Sequence, residues 1–179
     1  LGDNTYIVYT ADHGDWLGDH GMVLKGPMPF EGLLNVKAIV KGPDVPVGKV
    51  SDQPMSTLDL GATFLDWAGA DSLMDIHGTS MRDVIAGDST RDAAFSEWEL
   101  LPGRVGVGLS LRTVRTRTAK LTMDLKSGAG EMDDLANDPQ ELTNLFDDPA
   151  HSGLREELSA ILMTRPDDMR PNGVQVGMA

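Results

Sequence analysis

Three clusters of reactive side-chain types fall close together near the start of the chain: Asp12-His13, Gly18-Asp19-His20-Gly21 and Lys25-Gly26-Pro27. A carboxylate beside an imidazole makes half of a site for a divalent cation, oxygen ligands favouring calcium or magnesium and the imidazole widening the choice. Neighbouring residues on a regular strand point to opposite faces, so Asp12 and His13 share a ligand only if the chain turns there, and Gly14 permits that turn. Lys25 adds a compact charge with three donors, which makes sense beside a metal when an anion such as sulfate or phosphate bridges the two. Taken singly, the same residues have simpler uses. An Asp-His pair after a strand serves as a turn and cap, His20 as a loop residue with local hydrogen bonds, and Lys25 as a solvated surface charge. Their joint occurrence is what points to chemistry.

The elements around them must position these groups. Residues 5–10 are β-branched and aromatic without polar alternation, as expected of a strand buried on both faces of a mostly parallel sheet. In such sheets chemistry sits just beyond the C-terminal strand ends, where Asp12 and His13 lie. Residues 14–35 are rich in Gly and Pro and read as a long structured loop, and a second strand is expected at 36–40. Ser56-Thr57-Leu58-Asp59 has capping-box spacing, and Leu58, Ala62, Leu65 and Ala68 mark the apolar face of a helix over 57–68 that Gly69 stops. A shorter helix follows at 81–86. The character then changes: 93–98, 107–116 and 118–125 read as strands in hairpin order, and Leu154, Leu158, Ile161 and Leu162 as the apolar face of a last helix. The expected fold is therefore α/β, with an α/β core portion over 1–90, a small antiparallel subdomain with a packing helix over 91–165, and a flexible tail over 166–179.

Composition narrows the function classes. The 179 residues carry a net charge of −13, which argues against nucleic acid or an anionic membrane surface as partner, since both need a surplus of Lys and Arg. No apolar run approaches the roughly 18 residues of a membrane span. The absence of Cys removes disulfides, thiolate metal sites and a Cys nucleophile from this chain. Leu1-Gly2-Asp3-Asn4 reads as a turn leading straight into a strand, the expectation for a chain continued upstream.

The segment Thr10-Ala11-Asp12-His13-Gly14-Asp15-Trp16-Leu17-Gly18-Asp19-His20-Gly21, followed by Leu24-Lys25-Gly26-Pro27 and Phe30-Glu31, resembles the C-terminal metal-and-sulfate segment of the type I sulfatases in the alkaline phosphatase superfamily. The similarity continues through Ile39-Val40-Lys41-Gly42-Pro43, the helix from Ser56, His77-Gly78-Thr79-Ser80-Met81, Arg112 to Thr116 with Lys120, Glu131 to Leu135, and Asn137-Asp138-Pro139-Gln140-Glu141-Leu142-Thr143-Asn144-Leu145. It covers roughly residues 3 to 162. The chain departs from the family pattern where Val36 is followed by Lys37 instead of Pro, and where Met132-Asp133-Asp134 follow Glu131, changes that touch packing more than chemistry.

The resemblance implies an alkaline-phosphatase-like core and a calcium site in which Asp12 and His13 are two of the ligands, magnesium or manganese being less favoured. It also implies that Lys25 holds the sulfate ester, and that His20 at most orients or protonates the leaving group. The family nucleophile, a formylglycine made within a Cys/Ser-x-Pro-Ser-Arg motif, has no counterpart here. The expected function is thus the C-terminal portion of a sulfatase, hydrolysing a sulfate ester when complete and inactive alone. The alternatives are a phosphodiester or phosphonate monoester hydrolase of the same superfamily, or a non-catalytic interaction domain that kept the fold. Trp16, Phe30, Glu97, Trp98 and Glu99 are candidates for the pocket rim or for packing between the two parts. An uncovered apolar surface would favour a homo-oligomer.

Overall fold

A computed structural model describes residues 2–72 and 75–166, so the tail expected over 166–179 lies, apart from its first residue, outside the described residues. The first strand is shorter and differently placed than its apolar run suggests. β1 (Ile7–Tyr9) pairs antiparallel with β2 (Ile39–Lys41), Val8 opposite Val40. Val8 and Val40 are half-buried, whereas Ile7, Tyr9 and Ile39 are exposed. Among the described residues the neighbour of this strand is thus antiparallel, where its apolar run suggested a mostly parallel sheet. β-branched residues fit any pleated surface, and among the described residues no further strand pairs with this ribbon.

A short helix, α1 (Glu31–Leu34), closes the Gly- and Pro-rich loop. The helix expected from Ser56 is present as α2 (Leu58–Ala68), ended by Gly69 in the left-handed conformation. Its buried face is offset by one residue from the apolar stripe: Asp59 and Thr63 are buried while Leu58 is exposed. The reason is a polar hub. Asp59 accepts the Ser56 N–H (2.8 Å) and the Thr79 N–H (2.9 Å) and pairs with Arg91 (2.6 Å), while Thr63 Oγ1 accepts the Met81 N–H (3.0 Å). That last bond holds the start of α3 (Arg82–Ala86).

The remaining elements form an antiparallel sheet in chain order: β3 (Ala93–Leu100), β4 (Leu109–Thr116), β5 (Ala119–Asp124) and β6 (Gly130–Asp134), with α4 (Pro102–Val105) between the first two. Register assigns the two faces. Val114 lies opposite Leu121 and Leu121 opposite Met132, and onto these three α5 (Ser152–Leu162) lays Leu158 and Leu162 to make the core. On the other face Ser96 lies opposite Thr113, Trp98 opposite Leu111, Arg115 opposite Lys120 and Lys120 opposite Asp133. That polar face receives the loop and α1. No helix among the described residues is long and apolar enough to cross a membrane.

Candidate functional site

The loop after β1 is folded back on itself by close backbone approaches. The Gly14 N–H donates to the Leu33 carbonyl (2.8 Å), and a Cβ at Gly14 would lie 2.0 Å from the Gly32 carbonyl oxygen, a contact only glycine allows. This pins Asp12-His13 beside α1. The Trp16 N–H to Leu24 carbonyl (3.1 Å) and Gly18 N–H to Met22 carbonyl (2.8 Å) bonds then return the chain towards its start. Leu17, His20 and Leu24 pay for the tight reversal with positive φ (51°, 50° and 65°), a conformation costing of order 1 kcal/mol each outside glycine. Trp16 is buried, and a Cβ at Gly26 would lie 2.8 Å from its ring, so Gly26 lets the chain pass over the indole and deliver Lys25.

The result is a convergence of three groups. His13 Nδ1 hydrogen-bonds the Gly14 carbonyl oxygen (2.7 Å); donation there leaves Nε2 as the lone-pair nitrogen. Lys25 Nζ lies 2.8 Å from His13 Nε2 and donates to it, and Asp12 Oδ2 lies 3.5 Å from the same nitrogen. The His13 N–H also donates to Asp12 Oδ1 (3.0 Å), which, with the nearby imidazole, holds the Asp12 carboxyl below its ordinary range. Asp12 is largely exposed. An oxygen donor beside an imidazole nitrogen suits a divalent cation as two of its ligands once the Lys25 ammonium, which here takes the Nε2 lone pair, gives way to it. Among the described residues no cluster of three or more His, Cys, Asp or Glu side chains that could hold a metal ion occurs.

Asp12, His13 and Lys25 edge a cavity of about 250 Å³. Pro27, Pro29, Leu33 and Leu34 line it from the loop and α1, and Ser96, Trp98, Leu111 and Thr113 from the polar face of the sheet. Glu97 also lines it, while its carboxylate is drawn to Arg112 (3.2 Å) and Arg165 (3.5 Å). Of the rim candidates, Trp98 therefore faces the cavity, Glu97 turns its carboxylate away to Arg112 and Arg165, Trp16 and Phe30 are buried in packing, and Glu99 pairs with Arg112 (2.7 Å).

The sheet also holds the loop in place. Lys120, fully buried, donates to the Pro29 carbonyl (2.8 Å), pairs with Glu141 and lies 3.5 Å from Asp133. Glu141 Oε2 accepts the Glu31 N–H at the start of α1 (2.7 Å), and Glu31 pairs with Arg115 (2.9 Å). Burial pushes the Lys120 ammonium pKa down and the Asp133 and Glu131 carboxyls up. Burial also pushes Glu31 up, but its Arg115 and Asn35 bonds outweigh that and leave it lowered. His20 sits on this side: its ring stacks on Phe30 (centroids 3.7 Å apart, planes 4° off parallel), its buried Nε2 has no protein partner, and it is not among the cavity-lining residues. The wall residues of β3 and β4 were legible in principle, because the two-residue period of Leu111-Thr113-Arg115 sets them opposite Val114.

Residues 18–167 match the family described as N-sulphoglucosamine sulphohydrolase, C-terminal. Among curated proteins, a delta 4,5-hexuronate-2-O-sulfatase of Bacteroides thetaiotaomicron is 33% identical over 184 residues, spanning 93% of this chain and 36% of its own length. Among solved structures, a 2-O GAG sulfatase matches with TM-score 0.78 at 32% identity, and a phosphonate monoester hydrolase of Agrobacterium radiobacter with TM-score 0.79 at 27%. These cover 89% and 90% of this chain, and 35% of each solved chain. The chain thus spans about a third of the length of these relatives.

Proposed function

The chain belongs to the sulfatase family, as a member of the group described by the C-terminal part of N-sulphoglucosamine sulphohydrolase, and from that premise we propose that it forms the C-terminal part of a longer enzyme that hydrolyses sulfate esters. The observation that carries this reading is the meeting of Asp12, His13 and Lys25 at one edge of the cavity. Asp12 and His13 would hold a divalent cation, calcium by the oxygen-rich character of the family site. When bound, such a cation supplies Lewis-acid polarisation of the ester oxygens. Lys25 would set its ammonium against the sulfate group and offset the charge on its oxygens. Residues 1–90 carry these groups and residues 91–165 build the opposite wall, a division that belongs to the same proposal. His20, stacked on Phe30, shapes the loop in this reading; a proton-donating role would need its ring released from that stack.

The 179 residues contain no Cys and no Ser-x-Pro-Ser-Arg stretch, so the nucleophile is expected from the rest of the enzyme. The isolated chain is expected to bind calcium weakly and to turn nothing over. In the whole enzyme, Asp12→Asn or His13→Gln lowers calcium affinity by at least about tenfold in calorimetry. Lys25→Met leaves calcium binding in place and lowers sulfate ester hydrolysis by about 10²-fold. Unchanged calcium affinity in both ligand variants would overturn the assignment. The likeness to the phosphonate monoester hydrolase sustains a second reading with the same groups on a different tetrahedral anion; rates on matched sulfate and phosphonate esters separate the two.

A further inference from the structure

We propose that the face of the small sheet carrying Trp98 is the part of the site that reads the alcohol portion of the ester, selecting an alcohol that presents a flat apolar ring face; this rests on the sulfate ester reading above. The anion-handling groups are confined to one edge of the cavity, where Asp12, His13 and Lys25 meet. The rest of the lining is largely apolar, with Pro27, Leu33 and Leu34 from the loop and α1, and Trp98 and Leu111 from the sheet. Trp98 and Leu111 are directly opposite in the β3–β4 register, so their side chains share one face, and Ser96 and Thr113 extend that face by the next pair. Trp98 is 38% exposed, with its partner Leu111 nearly buried behind it. An indole held on a strand and left open on a cavity is a stacking platform of the kind that aromatic and pyranose rings occupy.

Among the described residues the Trp98 side chain takes no part in the hydrophobic core. It lies on the sheet face opposite that core and α5. Charge makes the division of labour sharper. Glu97, the neighbour on β3, has its carboxylate drawn to Arg112 and Arg165, so the wall presents no free anion that would repel a sulfate ester at close range.

The test is made in the whole enzyme with Trp98→Ala and Trp98→Phe. Phenyl sulfate and a hexose 6-sulfate carry ring faces from two different sources, and methyl sulfate carries none. Trp98→Ala is expected to raise KM for a ring ester by about tenfold while leaving methyl sulfate within about twofold, and Trp98→Phe to restore most of the loss. A response of one ring ester alone supports the proposal and names the source of the ring. Equal change on all three esters, or no change on any, overturns it. Calorimetric binding of benzenesulfonate against methanesulfonate gives the same comparison without turnover: Trp98→Ala weakens only the former if the wall reads the ring. Should the wild-type enzyme cleave phosphonate esters and no sulfate ester, the sulfate reading fails, and the sulfonate pair still decides for or against the wall.

Discussion

The two faces of the β3–β6 sheet are built on opposite principles. One packs Val114, Leu121 and Met132 against Leu158 and Leu162 of α5, with Arg112 and its partners Glu97 and Glu99 further along the same face. The other carries Thr113 bonded to Thr122 (2.9 Å), Lys120 between Glu141 and Asp133, and Arg115 paired with Glu31. Apolar burial is non-directional and supplies stability wherever shape is filled. Buried hydrogen-bonded charges contribute little net stability, because desolvation offsets attraction, but they fix where their partners sit. The difference teaches that the core face keeps the sheet folded while the charged face sets the position of the loop that brings Asp12, His13 and Lys25 to the cavity.

Breaking the charged face should have the largest effect. Lys120→Met leaves Glu141 and Asp133 buried without their cation and releases the Pro29 carbonyl, and the expected loss is about 3–5 kcal/mol in urea unfolding. The informative variant is the triple Lys120→Met, Asp133→Leu, Glu141→Leu, which removes every charge of the buried group. Replacing a buried ion pair or triad by apolar side chains is often neutral or stabilising, so stability should largely return, whereas calcium affinity at Asp12-His13 should not, because the Glu31 N–H and the Pro29 carbonyl have both lost their anchors. Recovery of both properties would show the face to be ordinary packing.

Leu158→Ala attacks the other face. It opens a cavity under Val114 and Leu121, with an expected loss of about 3 kcal/mol. Here the two properties should separate in the opposite direction: the midpoint falls, but in the fraction still folded calcium affinity and ester KM stay at their wild-type values.

This contrast also marks what the sequence makes legible. The α5 face, the β4 and β5 strands and the Asp12-His13 turn can all be read from local spacing, since period and glycine position are local facts. The partner of β1 cannot, because an apolar run reports fit to a pleated surface and not which strand lies alongside. Nothing in the local spacing announces the burial of Lys120, which depends on Glu141, supplied 21 residues later. Glu31 and Arg115 meet across 84 residues. His20 draws the eye as a chemical group, yet its surroundings are Phe30 and the charged face, which no spacing within the loop announces. Local chemistry was visible; the contacts that select among its uses are long-range.

A smaller effect should appear at the end of β5. Ser127 Oγ donates to Asp124 Oδ2 (2.6 Å) and the Ser110 N–H to Oδ1 (2.8 Å), and these bonds lower the Asp124 pKa from 3.8 to about 2. A folded-state pKa below the unfolded one means that the carboxylate stabilises the fold above about pH 4 and ceases to do so as pH falls from 3.8 towards 2. Unfolding followed over pH 2 to 6 should therefore show Asp124→Asn less stable than wild type at pH 6, with the gap closing towards pH 2. A gap that is constant with pH would assign the role to the shape of the turn instead of its charge.

The smallest effect is expected at a bridge that resembles the buried ones on paper. Arg117, in the β4–β5 turn, pairs with Asp52 (2.5 Å) and so also ties the sheet to the segment before α2. Both side chains are more than half exposed (55% and 66%), so water screens the attraction and ordering two long side chains offsets much of what remains. Arg117→Gln should change stability by less than about 1 kcal/mol and leave calcium affinity unaltered. A loss matching that of Lys120→Met would mean that geometry alone, and not burial, gives a charged contact its hold on the loop, and the contrast between the two faces would then need a different physical cause.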